Sequence, residues 1–90
     1  MRTEPFLEVT YRHGRPWAAY LYLPREAGQR PVRSRRQESG LVVDLARDGT
    51  PLGVEITAPE LVSLAKLNSV LKGLGAPLVK KADLAPLLAA

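Results

Sequence analysis

Few side chains in this sequence could do chemistry, and their spacing narrows the choice further. Asp44 and Glu55 are the carboxylates most easily brought together, His13 is the single histidine, and arginine supplies most of the positive charge. Two carboxylates on one surface can share acid and base roles, as in glycoside hydrolysis. That chemistry also needs a cleft and an aromatic platform for the sugar, and the residues around Asp44 and Glu55 offer neither. Pairing of the two acids with arginines of an adjacent strand, such as Arg33 or Arg35, is the simpler expectation. His13 lies in a turn-forming run, His13-Gly14-Arg15-Pro16, with no motif to bring a carboxylate and a nucleophile beside it. There is no cysteine, and no cluster of His, Asp and Glu has the spacing of a metal site. Gly49 and Gly53 do not form a phosphate cradle; Gly49 is needed for a turn, and Gly53 leaves room for a neighbouring group to approach. These residues predict a protein that is not an enzyme and holds no cofactor or metal.

The charge pattern points elsewhere. The formal net charge is +4, and the basic surplus lies mostly in the first half, where Arg2, Arg12, Arg15, Arg25, Arg30, Arg33, Arg35 and Arg36 face only Glu4, Glu8, Glu26 and Glu38. Arg30, Arg33, Arg35 and Arg36 are therefore candidate nucleic-acid contacts, acting on phosphate. Tyr11, Trp17, Tyr20 and Tyr22 could stack bases beside them. No RNP-type motif accompanies these residues. A solvated arginine-rich face and aromatics packed in a core are the more ordinary explanations.

The elements that must position these groups follow from periodicity. Leu41 to Thr57 reads as two strands around Asp48-Gly49, one of the strongest short hairpin signals. With a two- or four-residue loop, Leu45 opposes Leu52, Val43 opposes Val54 and Leu41 opposes Ile56, so one face is apolar. A three-residue loop would set Leu52 opposite Asp44 and break that face. The same register makes Asp44 and Glu55 diagonal neighbours on the other face. Phe6 to Arg12 alternates as a half-buried strand. Trp17 to Leu23 is apolar on both sides, with Trp17, Ala19, Leu21 and Leu23 on one face and Ala18, Tyr20 and Tyr22 on the other. It reads as a central strand, or one whose second face is covered by a helix or another subunit. Val32 to Glu38 reads as an arginine-rich edge strand, with a mobile loop as the alternative. Ser39-Gly40 turns the chain into the hairpin.

After Thr57 the period changes to that of a helix. Pro59 suits its first position, Glu60 its positive end, and Gly73, Gly75 and Pro77 its termination. Leu64, Leu67, Leu71 and Leu74 form its apolar stripe, widened by Leu61 and Val70. Packing on a sheet face explains the stripe most simply. A seam with a second copy of the helix makes the same four leucines candidate self-association residues. Leu78 to Lys81 is a short strand or a linker. Asp83 to Ala90 reads as a terminal helical turn with Asp83 as N-cap, and Leu84, Leu87 and Leu88 need something to dock on, within this subunit or on its neighbour.

Ala19-Tyr20-Leu21-Tyr22-Leu23, a polar stretch, and then the hairpin from Gly40 to Ala58 resemble the small bacterial domain-of-unknown-function family numbered 2283. The resemblance covers about residues 6–58, and Val43-Asp44 with Asp48-Gly49 through Ile56 carries most of it. It implies a β-meander of four or five strands backed by a helix, and no known activity. Some members resemble the smaller partner of toxin–antitoxin gene pairs. The sequence departs from that pattern at Trp17-Ala18 and at Arg33, Arg35 and Arg36, where acidic residues are usual.

The expectation is thus an α+β fold: an antiparallel β-meander packed by one main helix, residues 1–75, with a C-terminal extension, 76–90, docked or flexible. Ninety residues make one small domain with a limited core. No run approaches the roughly 20 apolar residues of a membrane span. Glu4 and Glu8 interrupt any leader-like stretch, so a cytoplasmic protein with no membrane partner is expected. The leading functional expectation is a non-catalytic protein-interaction module, self-associating as a dimer and neutralising another small protein. A nucleic-acid-binding module is the alternative.

Overall fold

The computed structural model describes residues 4–37 and 40–88, with the side chain of Leu88 left aside. Five strands form one antiparallel sheet: β1 (Phe6–Arg12), β2 (Arg15–Tyr22), β3 (Arg33–Arg36), β4 (Leu41–Leu45) and β5 (Pro51–Ile56). A main helix, α1 (Leu64–Gly73), and a short terminal helix, α2 (Ala85–Leu88), complete an α+β fold. The spatial order is β1-β2-β5-β4-β3. Strands β3 to β5 are a meander and β1-β2 a hairpin. The two join because β2 pairs with β5, so the chain crosses the sheet between β2 and β3. The arginine-rich segment is a strand, and it lies at the edge. Glu38 and Ser39, read as its end and the following turn, fall outside the described residues.

The β4–β5 register agrees with the pattern at Leu41–Ile56, Val43–Val54 and Asp44–Gly53, but not at Leu45, which pairs with Pro51. The loop is a three-residue one: Ala46 N donates to Thr50 O at 2.8 Å, and Gly49 takes a φ of 92°. Leu52 is an extra residue that restores the register before Gly53, as a β-bulge does. The expected penalty of a three-residue loop is thereby avoided. Leu45 and Leu52 both remain buried.

A second hairpin hides in the segment read as a plain turn. His13 and Gly14 have φ values of 55° and 78°, the pair of positive angles of a type I′ turn, and Arg15 and Pro16 already belong to β2. The β1–β2 register slips between Thr10 and Tyr11, leaving Trp17 unpaired. Trp17 therefore does not join Ala19, Leu21 and Leu23 in the core. It is 54% exposed, and the Arg12 guanidinium sits 4.6 Å from its ring centroid.

The helix starts later than its sequence suggests. Pro59–Leu61 forms a 3-10 turn, Val62 is extended, and Ser63 caps α1 by accepting from Lys66 N at 3.1 Å. Leu61 is consequently exposed and outside the stripe. At the other end Gly75, with φ 71°, closes a Schellman motif: Ala76 N donates to Leu71 O and Gly75 N to Lys72 O. Leu67 and Leu71 are fully buried against Leu21, Leu41, Val43, Val54 and Ile56, with Leu64 and Leu74 half-buried beside them.

The C-terminal extension is docked on this same core. Val79, Leu84 and Leu87 are buried in it. Asn68 holds the extension to α1, donating to Val79 O and accepting from Val79 N, both at 2.9 Å. Lys81–Leu84 is a 3-10 turn running into α2. Asp83 is its third residue rather than its N-cap, and accepts from Lys80 N at 2.8 Å. Ala89 and Ala90 lie outside the described residues. Among the described residues no helix is long and apolar enough to cross a membrane.

Candidate interaction surfaces

The helices cover one face of the sheet. Register assigns the opposite face to Phe6, Glu8 and Thr10 of β1, Ala18, Tyr20 and Tyr22 of β2, Gly53 and Glu55 of β5, Val42 and Asp44 of β4, and Ser34 and Arg36 of β3. Among the described residues no helix packs on it. The second apolar side of β2 is thus not a second core. Its two tyrosines meet edge to face with centroids 4.7 Å apart, and Phe6 lies 6.0 Å from Tyr22 while remaining 48% exposed.

Asp44 and Glu55 share this face diagonally, as their spacing predicts. Asp44 accepts from the Tyr20 hydroxyl and from Ser34 Oγ, each at 2.7 Å. Arg33 and Arg35 cannot supply the expected ion pair, because an odd–even difference in register puts them on the helix-covered side. Burial, then the hydrogen bond to the Asp44 carboxylate, raises the Tyr20 hydroxyl well above the ordinary tyrosine range. A tyrosine held in its protonated form is a poor base and nucleophile, and the trio of Tyr20, Asp44 and Ser34 ties β2, β4 and β3 together. Arg25 reaches across the same end of the sheet, donating to Leu52 O at 2.6 Å with its guanidinium 5.8 Å from the Tyr22 ring.

The four arginines do not form one patch. Arg33, Arg35 and Arg36 are exposed on β3, the first two toward the helix side and the third toward the outer face. Arg30 sits at the other end of the edge, lining a hollow of about 360 Å³ with Val32, Ala46 and Arg47. A larger open groove of about 770 Å³ runs between β3 and α1, bounded by Arg35, Arg36, Gln37, Ser69, Val70 and Leu74. Of the four stripe leucines, Leu67 and Leu71 have no surface to offer a second copy; Leu64 and Leu74 keep part of theirs. His13 is exposed in its turn. Among the described residues no group of three His, Cys, Asp or Glu could hold a metal ion.

The outer aromatic face was only partly legible in the sequence. Alternation put Tyr20 and Tyr22 together, but Phe6 joins them through the β1–β2 register, which the hidden turn at His13-Gly14 sets. Compared with protein-family models, curated proteins and solved structures, the chain matches none.

Proposed function

We propose that this protein is a non-catalytic protein-interaction module that self-associates as a dimer through the outer face of its sheet, and that its target is another small protein. One observation carries the reading: among the described residues helices pack on one side of the sheet, and the other side presents Phe6, Tyr20 and Tyr22 as one aromatic cluster. Aromatic side chains supply large contact area at low entropic cost and are enriched in interface cores. The stripe of α1 supports the outer face over the helix as the seam, since its leucines are engaged with the sheet.

Light scattering on the eluting chain from micromolar to hundred-micromolar concentration tests this. A dimer mass in the wild type, lost in Phe6→Glu without loss of the folded spectrum, is expected. A monomer throughout, with no protein co-purifying from source cells, would remove the reading. A second reading, a nucleic-acid-binding module, is supported by the exposure of Arg30, Arg33, Arg35 and Arg36. It predicts co-purification that nuclease abolishes and binding that weakens steeply with salt.

A further inference from the structure

We propose that β3 is a docking strand whose outer edge takes an extended, acidic segment of a partner protein as a sixth strand of the sheet. This rests on the interaction-module reading but uses a surface separate from the aromatic face.

The backbone supplies the template. Among the described residues β3 pairs with β4 alone. Gln37 N donates to Leu41 O at 2.9 Å, which marks Gln37–Leu41 as a hydrogen-bonded pair in the β3–β4 register. Antiparallel pairs alternate, so Arg35–Val43 and Arg33–Leu45 are bonded likewise, and Ser34 and Arg36 turn their N–H and C=O groups away from β4. Among the described residues no strand meets them there. An unpaired edge of this kind is the recognised acceptor for an added strand.

Side chains decide the occupant. Arg33 and Arg35 flank the edge on one face and Arg36 on the other, all exposed. Charge at an edge discourages pairing, and here it discriminates. A second copy of β3 would set arginine against arginine, which is destabilising, whereas an acidic strand sets carboxylates against arginine on both faces. The groove beside the edge, floored by Val70 and Leu74, adds room for one apolar side chain of the incoming segment. Gly73 at its margin has open space where a side chain would stand. A nucleic-acid backbone fits less well. It would meet arginines divided between two faces and would leave the outward carbonyls of Ser34 and Arg36 without donors.

The test uses the full chain and a ten-residue peptide alternating glutamate with valine. Its lysine–valine counterpart and a ten-nucleotide single-stranded oligonucleotide serve as comparisons. The expected result is binding of the glutamate peptide alone, with new amide-exchange protection at Ser34 and Arg36 of the wild type. Arg33→Glu with Arg35→Glu should weaken binding at least tenfold at an unchanged melting temperature. Ser34→Pro removes an N–H that β4 does not use but also the hydroxyl that donates to Asp44, so it is paired with Ser34→Ala, which loses the hydroxyl alone. Binding kept in Ser34→Ala and abolished in Ser34→Pro is expected, with all charges in place in both. Binding of the oligonucleotide but not the peptide would overturn the proposal. So would peptide binding with no protection at Ser34 and Arg36. A dimer or a co-purifying protein that persists in either case leaves the interaction-module reading intact, so the two failures are distinguishable.

Discussion

The hydroxyl of Tyr20 on β2 reaches Asp44 on β4 by crossing β5 at Gly53, and it can do so only because Gly53 has no side chain. A Cβ at Gly53 would lie within the Tyr20 ring. The glycine thus leaves space for a bond that spans three strands, at a position where its backbone angle is unremarkable for any residue. Gly53→Ala should destabilise the fold by about 1–3 kcal/mol, the usual range for overpacking. Urea unfolding of Gly53→Ala, Tyr20→Leu and the double variant would measure the coupling. Additive losses would show that the ring does not depend on the glycine.

The same tyrosine gives the protein an alkaline signature. Its folded pKa is raised, chiefly by burial and then by the bond to Asp44, so the folded chain holds a proton that the unfolded chain releases near pH 10. Stability from this site is fully present below that pH and declines as pH rises toward the folded value. Tyr20→Phe should flatten this slope in urea midpoints taken from pH 8 to 11. An unchanged slope would mean that other groups govern alkaline unfolding.

The hairpin turn carries the opposite dependence. Asp48 Oδ1 accepts from the Thr50 hydroxyl at 2.7 Å and from Thr50 N at 3.0 Å, and these bonds lower its pKa. A depressed folded pKa contributes stability above the unfolded value, near 4, that is lost as pH falls through the folded one. Thr50→Val should move the Asp48 carboxyl titration, followed by NMR, back toward the ordinary value. A titration that stays where it was would leave the backbone bond as the whole cause.

The extension after Gly75 should prove integral to the domain. Asn68 satisfies both backbone groups of Val79, and Leu84 is fully buried. Asn68→Ala leaves a half-buried donor and acceptor unmatched and should cost about 1–3 kcal/mol. Leu84→Ala should cost about 2–5 kcal/mol through transfer and cavity terms. Both are read from urea curves. A chain ended at Gly75 should lose cooperative unfolding, and a sharp, wild-type-like transition in that chain would contradict the account.

The sequence by itself determined the local elements. Alternation placed Ala19 with Leu21 on one face of their strand and Val43, Val54 and Ile56 on one face of the hairpin, and a stripe at helical spacing put Leu67 and Leu71 on one side of the helix, because side-chain direction depends only on the period of the backbone. Asp48-Gly49 located the hairpin for the same local reason. What the tertiary structure decided is everything that depends on which strand lies beside which. Two bulges, at Trp17 and Leu52, shift the register by one residue, expelling Trp17 from the core and keeping Leu45 and Leu52 in it. The crossing between β2 and β3 puts Gly53 beneath Tyr20, and pairing parity sends Arg33 and Arg35 away from Asp44. The polar Asn68, beside the helix stripe, had no partner until the extension folded back over it. Some of these relationships join residues far apart in the chain, as Tyr20 and Asp44 do, and the nearer ones depend on how the backbone turns between the partners, which side-chain periodicity does not encode. The candidate surfaces, an aromatic face and an arginine edge, exist only once the strand order is set.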